Sequence, residues 1–462
     1  MTLFALAVLS VSELIYLYTG FALAGDISRL TVCAVCLCVI PKFTLREWAL
    51  GAMAVGLAVG VWLYKPSADA IYYGLDRAAF FGAFIYLITL LKEAAIRSPS
   101  VLELGHYLTN QPPGRRYFAT AIGGHFLGVL LNFGAVSLLA PLIQRGARAE
   151  PIVTAADEKR AQIREQRQIS ALLRGFSWMI LWSPTALTQA VLFSTLPGVD
   201  LLTVSSLGGI AAIIMILIGR AEERFRWRHI VITRPPTLLH FPKRSAFNLL
   251  MVCVFLIGST YLIVYVVDVS TARALMLMAP LVMIGWVLAQ NTGLRLGHSL
   301  LAAGQALSGI FRGSAGPLAS NTYALATAGF IGETAAHLAP VHYMAEHANL
   351  DQIPAWLFLV SLPLLISICG QVALSPLMVV VFLSAIMREL PALPADPSHI
   401  VFAMGAGWAL SMTASPNATA TILISGTCGI PPTTLTWRWN GVYALLCFIA
   451  FSAMFYVITG GQ

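Results

Sequence analysis

Charged residues are scarce in this sequence: they make up 10% of its 462 residues, against about 25% in soluble globular proteins. Hydrophobic residues make up 58%, and the mean hydropathy is +0.80. So few charges cannot cover a water-exposed surface, which excludes a soluble enzyme, a secreted disulfide scaffold and a disordered chain. The composition predicts an all-α polytopic membrane protein embedded in a lipid bilayer. Since about 20 apolar residues cross a bilayer as a helix, we expect about 11 transmembrane helices.

Several motifs are also missing. The sequence has no Gly-rich loop of the form GxxxxGK[ST], which argues against a primary pump. Its longest polar stretches, residues 144–167 and 220–245, are loop-sized, so we expect no nucleic-acid partner. The first 19 residues lack a basic start and a small-residue cleavage site, and they predict a spanning helix rather than a signal peptide. We expect no metal and no cofactor.

The net charge of +8 indicates topology, because short loops rich in Lys and Arg stay in the cytoplasm. Most of the basic residues fall in four clusters, at 42–46, 115–116, 145–167 and 220–244. Alternating the apolar segments between these clusters places the N-terminus in the cytoplasm and the C-terminus in the periplasm. The predicted location is a bacterial inner membrane.

Residues 118–143 form an apolar segment with a basic cluster at each end. Both ends are therefore predicted to be cytoplasmic, but two full crossings need about 40 residues. A re-entrant hairpin satisfies both conditions. Asn132 and Gly134 interrupt the apolar run and mark the predicted tip, since irregular backbone is tolerated only inside protein or beside water. The alternative is one long tilted helix that violates the charge rule.

A second irregular segment covers residues 174–194, with Ser183-Pro184-Thr185 at its centre. Proline removes a backbone donor and clashes with the preceding helical turn. Flanked by two hydroxyl side chains, it predicts a helix broken near the middle of the membrane. The alternative is an ordinary proline kink, which is common in spanning helices.

The second half of the sequence repeats this plan. An apolar segment at 354–386 predicts another hairpin, with its tip at 370–376, and Ser415-Pro416-Asn417-Ala418-Thr419 interrupts the segment 401–428. Gly128 matches Gly370 at an offset of 242 residues, and the two Ser-Pro pairs match at 232. With one extra helix at 1–24, the halves 25–219 and 246–462 become inverted repeats joined by a cytoplasmic linker at 220–245.

Inverted repeats with broken helices place their binding site at the repeat interface, near the midplane. The candidate substrate-binding residues are the polar residues at the tips and breaks: Asn132, Ser183, Thr185, Ser375, Asn417 and Thr419. The candidate ion-binding residues are Asn132, Gly134, Ser415 and Asn417. Neutral amides and hydroxyls suit a small anion and Na⁺ rather than acid–base catalysis. The alternative for each residue is hydrogen bonding between packed helices.

Few ionisable residues lie in the apolar segments. Glu333 and His337 are one helical turn apart and form either a proton relay or an interfacial pair at a helix end. His125 lies deeper and is either a hydrogen-bonded packing residue or a ligand. His342, Glu346, His347 and Asp351 predict a solvated external cluster, with metal binding as the alternative.

This arrangement of one extra helix, two inverted halves, two hairpins and two broken helices resembles the ion transporter superfamily. The segment Ser415-Pro416-Asn417-Ala418-Thr419-Ala420 is similar to that superfamily's Asn/Thr-rich ion and substrate loop. The divalent anion/sodium branch has Ser-Asn-Thr at both tips, where this sequence has Leu131-Asn132-Phe133 and Leu374-Ser375-Pro376. The resemblance implies an elevator-type motion and a homodimer.

The sequence therefore predicts a secondary active transporter, not an enzyme. It would move a small, anionic solute by alternating access, coupled to Na⁺ or H⁺. One alternative is the membrane subunit of a tripartite transporter, which works with a periplasmic binding protein. Another is a membrane-embedded glycan-processing enzyme, although the external loops lack the paired carboxylates that such chemistry needs.

Overall fold

The computed structural model describes residues 2–43, 45–148, 154–229, 240–290, 296–340, 353–388, 390 and 392–461. Within these ranges the chain forms eighteen α-helices and no β-strand. In chain order they are α1 (Thr2–Thr19), α2 (Ala22–Val39), α3 (Leu45–Tyr64), α4 (Ala68–Ile96), α5 (Pro99–Thr109), α6 (Pro113–Leu131), α7 (Phe133–Ala147), α8 (Ala155–Met179), α9 (Leu187–Thr195), α10 (Leu201–Arg226), α11 (Lys243–Val267), α12 (Thr271–Gln290), α13 (Leu296–Leu338), α14 (Ala355–Gln371), α15 (Pro376–Arg388), α16 (Pro397–Ala414), α17 (Thr419–Cys428) and α18 (Gly441–Ile458).

Eight helical segments of the described chain are long and apolar enough to cross a membrane. They are α1, α2, α3, α4, α10, α11, α12 and Thr434–Ile458, in which a π-helical stretch leads into α18. The chain is therefore a multi-pass membrane protein, as its composition predicts. The total of about 11 crossings stays a prediction, since the interrupted helices are shorter than a full span.

The first helix ends earlier than the hydropathy pattern indicates. The prediction extends it to Ala24, but α1 ends at Thr19 and α2 begins at Ala22. Gly20 has φ +68°, a conformation that glycine adopts without the steric cost of a Cβ atom. Apolar residues continue through the turn, so hydropathy alone does not reveal it.

The long helices α4 and α13 pack against each other in the protein interior. In α4, 83% of the most apolar window is buried, against 6% in α3, so α4 is central and α3 is peripheral. Glycines allow the two long helices to approach closely. A Cβ atom on Gly74 would lie 2.8 Å from the ring of Phe330, and one on Gly329 would lie 2.5 Å from the ring of Phe81. The hairpin and broken-helix segments pack beside this pair.

Candidate functional site

The first predicted hairpin consists of α6 and α7, which both pack against α8. A Cβ atom on Gly128 of α6 would lie 3.1 Å from the ring of Phe176. Phe133, which begins α7, has its ring 5.4 Å from the same Phe176 ring. At the other end of α7, Gln144 donates to Glu165 at 2.8 Å. The two arms therefore run in opposite directions along α8 and end on the same side.

The two hairpin tips have matching backbone turns. Asn132 joins α6 to α7 with φ 48° and ψ −131°, and Ala373 lies between α14 and α15 with φ 65°. Non-glycine residues rarely adopt positive φ, and these two positions are 241 residues apart. An alignment that makes Asn132 and Ala373 equivalent, here called the tip alignment, pairs Val129 with Gly370. The sequence comparison had paired Gly370 with Gly128, one residue earlier. Ala373, rather than Ser375, is thus the counterpart of Asn132.

Both broken helices are interrupted at their Ser-Pro pairs. The first break covers residues 180–186 between α8 and α9, and the second covers 415–418 between α16 and α17. The side chain of Gln189 donates to the carbonyl oxygen of Ile180 at 3.0 Å, and Thr421 donates to Met412 at 3.3 Å. Each donor bonds the carbonyl nine residues before it, and the two donors are 232 residues apart. Side chains thus satisfy carbonyl groups that the breaks release from the helices.

Each break is hydrogen bonded to the tip of its own hairpin. The hydroxyl of Thr185 donates to the carbonyl oxygen of Val129 at 2.6 Å, and the hydroxyl of Ser415 donates to Gly370 at 2.7 Å. These two carbonyls belong to the residues that the tip alignment pairs. Ser183 shares a hydrogen bond of 2.7 Å with Thr185. The hydroxyls of both breaks therefore hold the tips.

Asn417 adds an amide contact in the second half. Its Nδ2 atom donates to the carbonyl oxygens of Gly370 at 3.2 Å and Gln371 at 2.9 Å. Its own backbone amide donates to the Ser415 hydroxyl oxygen at 3.1 Å. The Gln371 side chain in turn donates to the carbonyl oxygen of Ala414 at 3.3 Å. Together with the Ser415 bond to Gly370, the three bonds between Asn417 or Ala414 and residues 370–371 make four hydrogen bonds that join the tip to the second break and the end of α16.

The candidate residues differ in accessibility. Ser183, Thr185 and Ser415 are buried, whereas Asn132 and Ser375 are partly exposed and Asn417 and Thr419 are exposed. The buried hydroxyls already hydrogen bond within the protein, as the helix-packing interpretation expects. A ligand therefore has access to the partly or fully exposed candidates, and the buried hydroxyls are closed to it.

A lysine that the sequence interpretation did not select lies beside the first tip. Gly134 is in the first turn of α7, where a Cβ atom would lie 2.8 Å from Cε of Lys92 and 3.1 Å from Ile96. Glycine here gives the lysine stem room to approach. From the sequence, Lys92 only marks the end of a span, because its contact partner lies 42 residues away. Its ammonium group favours an anion over Na⁺ near Gly134.

Around these tips, helices of one half pack against helices of the other half. The helix α17 packs against α7, and α9 packs against α15, so the second arm of each hairpin contacts the second half of the other broken helix. Gln144 in α7 donates to the carbonyl oxygen of Cys428, the last residue of α17, at 2.7 Å. Because both helices meet at their C-terminal ends and pack along each other, they run in the same direction. Their N-terminal turns therefore lie at a similar depth.

The ionisable candidates have other partners. The carboxylate of Glu333 binds Arg388 at 2.7 Å and Arg77 at 3.4 Å, whereas the His337 ring lies 3.4 Å from the carbonyl oxygen of Lys65. The structure thus gives Glu333 arginine partners and places the His337 ring at a backbone group. The predicted cluster of His342, Glu346, His347 and Asp351 lies outside the described residues.

His125 packs within the first hairpin region. Its Nδ1 atom lies 2.9 Å from the carbonyl oxygen of Gly175, and the Trp182 indole donates to its Nε2 atom at 2.8 Å. A carbonyl accepts and an indole donates, so this network assigns the neutral ring protonated on Nδ1. The packing interpretation of His125 is confirmed.

Two further features of the described chain bear on the site. No group of three or more His, Cys, Asp or Glu residues is arranged to hold a metal ion there. A groove of about 350 Å³ lies between α5 and α6, where Tyr107, Arg115 and Phe118 are among its lining residues. None of the predicted site residues lines it.

Comparisons with known proteins identify the fold. No protein family model and no curated protein matches the sequence. The structure matches the YdaH transporter of Alcanivorax borkumensis with a TM-score of 0.52 and 15% identity, over 94% of this chain and 98% of that one. It also matches MtrF of Neisseria gonorrhoeae, described as illuminating a class of antimetabolite efflux pumps, with a TM-score of 0.52 and 14% identity, over 88% and 92% of the two chains.

The chain therefore has a membrane-transporter fold. Both matched structures are described as transport proteins. Membership of the ion transporter superfamily stays a prediction from the sequence.

Proposed function

We propose that this protein is a secondary active transporter that moves a small anionic solute by alternating access. The observation that carries the proposal is the packing of two half-helices, α7 and α17, whose N-terminal turns lie at a similar depth because their C-terminal ends are hydrogen bonded, with Lys92 beside Gly134 in the first turn of α7. Unpaired backbone N–H groups and the helix dipole make such ends favourable for anions. Asn132, Asn417 and Thr419 supply neutral polar side chains close to these ends.

The hydrogen bonds of the site support an anion further. Break carbonyls that would suit a cation are bonded by Gln189 and Thr421, and the tip carbonyl of Gly370 is bonded by Ser415 and Asn417. A Na⁺ ion would have to displace these donors. Backbone N–H groups at the start of a helix have no such intrahelical partner.

The repeat supports alternating access. Each hairpin tip is joined to its own break, and the second arm of each hairpin packs on the other half, so tips and breaks form a unit suited to moving together against α4 and α13. The eight apolar spans, with α13 and the two broken helices, give the proposed 11 crossings. We propose inverted halves, a homodimer and coupling to H⁺ or Na⁺ as parts of this mechanism. The match to an efflux pump makes export the first direction to test.

A thermal-shift screen of the purified protein tests the proposal. Small carboxylates and inorganic anions are added in Na⁺ or K⁺ buffer at two pH values. A ligand at 100 times its Kd stabilises the folded state by about 2.7 kcal/mol, so a bound anion raises the melting temperature. We expect Lys92→Met to remove the shift, because the ammonium group is lost while most of the stem is kept.

A matched pair of glycine variants separates binding from folding. Asn132→Gly keeps the turn at φ 48° and removes the side-chain amide, so we expect a folded protein with weakened anion binding. Ala373→Gly introduces glycine at the positive-φ residue of the second tip. This variant should keep the rise in melting temperature that the anion produces. Equal anion responses in wild type, Lys92→Met and Asn132→Gly would overturn this site.

A further inference from the structure

A second group of ionisable residues lies where α1, α2 and α4 meet, apart from the tips and breaks. Arg29 of α2 is 4% exposed, and it binds Asp76 of α4 at 2.6 Å and Asp26 at 2.7 Å. Its guanidinium group lies 3.6 Å from the centre of the Tyr72 ring. Two carboxylates thus already balance the single buried positive charge.

A third carboxyl group, that of Glu13, is the most enclosed. Glu13 is 3% exposed and lies on α1, one of the membrane-spanning candidates. An ionised carboxylate buried in such a place is costly unless a cation pairs with it. The Nη2 atom of Arg29 is buried and has no hydrogen-bond partner, so the guanidinium does not bind Glu13 in this state.

Ser28 is the hydrogen-bond partner of Glu13. Its side chain lies at the Glu13 carboxyl group, and its hydroxyl lies 2.9 Å from the carbonyl oxygen of Gly25. A hydroxyl both donates and accepts, so this contact fits either protonation state of Glu13. Burial favours the protonated form, because an ionised carboxylate without a bound cation is costly inside a membrane-spanning helix.

The surrounding charges act on Glu13 in opposite directions. The helices α2, α4, α12 and α13 pack against α1. Asp76 disfavours a second negative charge nearby, whereas Arg29 and Arg273 favour one, and Arg273 is exposed at the start of α12. From α13, Glu333 is engaged with Arg77 and Arg388, and Tyr323 donates to the carbonyl oxygen of Glu47. Tyr16 of α1 lies against Arg29.

We propose that Glu13 is a proton-binding site, at which release of the proton to water lets the carboxylate move from Ser28 to the free Nη2 atom of Arg29. The O–H bond of Glu13 breaks, the proton leaves, and an N–H of Arg29 donates to the resulting carboxylate. This exchange changes the contact between α1 and α2. Resting on the proposed transporter function, it identifies H⁺ as the coupling ion.

Infrared difference spectra of the purified full-length protein test the proton site directly. We expect a carboxylic-acid carbonyl band that disappears as the pH rises and is absent in Glu13→Gln. Glu158→Gln, which removes a partly exposed carboxyl group on α8, is the control and should keep the band. Ser28→Ala should shift the band without abolishing it, because a hydrogen-bond partner is lost and the carboxyl group remains. A band unchanged in Glu13→Gln overturns the site.

The coupling role has its own readout. Glutamine resembles protonated glutamic acid in shape and keeps a donor for Ser28, so Glu13→Gln should fold and bind the anion as wild type does. In proteoliposomes its transport should lose the response to a pH gradient. A retained response would overturn the coupling, even if the infrared band is lost. If the wild type binds no anion, the transporter proposal fails, while the infrared result still decides the proton site.

Discussion

The side-chain amide of Asn417 donates to the carbonyl oxygen of Gln371 at 2.9 Å, so a broken helix holds a hairpin tip from 46 residues away. A hydroxyl also bonds the tip in each half, from Thr185 to Val129 and from Ser415 to Gly370. The second half therefore adds an amide to the hydroxyl contact that both halves share. In both, the acceptor is a backbone carbonyl close to a residue with positive φ, which ties the irregular backbone of the tip to that of the break.

Asn417→Ala removes two donors from the second tip, those to Gly370 and Gln371. Because Asn417 is exposed, water replaces part of the loss, and we expect a destabilisation of about 1 kcal/mol. The melting temperature without ligand measures it. Thr427→Ala, which removes a hydroxyl bonded only to its own helix, is the control and should cost less. Equal costs would contradict a tip-holding role for Asn417.

Gly208 and Gly209 give a matched test of packing at the first break. A Cβ atom on Gly208 would collide with the backbone carbonyl of Leu181, whereas one on Gly209 meets nothing within 4 Å. Gly208→Ala should force α10 away from the break and cost about 1–3 kcal/mol. Gly209→Ala should be neutral or slightly stabilising, because alanine favours helix over glycine. The melting temperatures of the two variants measure this difference. Similar values would argue against a close contact between Gly208 and Leu181.

Glu333 joins α13 to α4 and α15 through Arg77 and Arg388. Glu333→Gln should lower the free energy of unfolding by about 1–3 kcal/mol, a value between those of surface and fully buried ion pairs. The reason is that it removes a carboxylate from between two guanidinium groups. His337→Gln should have a smaller effect, since the ring lies at a backbone carbonyl. A proton relay requires instead that both variants change the pH profile of transport alike. Stability and the pH profile together distinguish a structural ion pair from a relay.

Asp200 precedes α10 and should make stability depend on pH. Hydrogen bonds from the hydroxyl and backbone amide of Thr203 lower the pKa of its carboxyl group. A pKa lowered by folding stabilises the protein above the ordinary aspartate range, and this contribution disappears as the pH falls through the folded-state value. Asp200→Asn still caps the helix, and it should reduce the loss of stability as the pH falls. Melting curves at decreasing pH measure the difference, and parallel curves for both proteins would refute the assignment.

Much of the site could be predicted from sequence because its cause is local. Scarce charge imposes a membrane environment on the chain, and both helix breaks fall at Ser-Pro pairs, where proline lacks the backbone donor. Basic clusters at both ends of residues 118–143 allowed the hairpin to be inferred without coordinates. These features depend on residue chemistry and spacing alone.

Tertiary structure determined the hydrogen-bond and ion-pair partners of the polar residues. The acceptors at Val129, Gly370 and Gln371 are backbone carbonyls, which no side-chain pattern marks. Lys92 reaches Gly134, and Glu333 pairs with Arg388 instead of the nearby His337, because helix packing brings distant residues together. Sequence thus determined where the two proline breaks and the first hairpin lie, and which groups must avoid lipid, although it missed the turn at Gly20. Only packing determined which polar groups satisfy one another, since that choice depends on distances between helices.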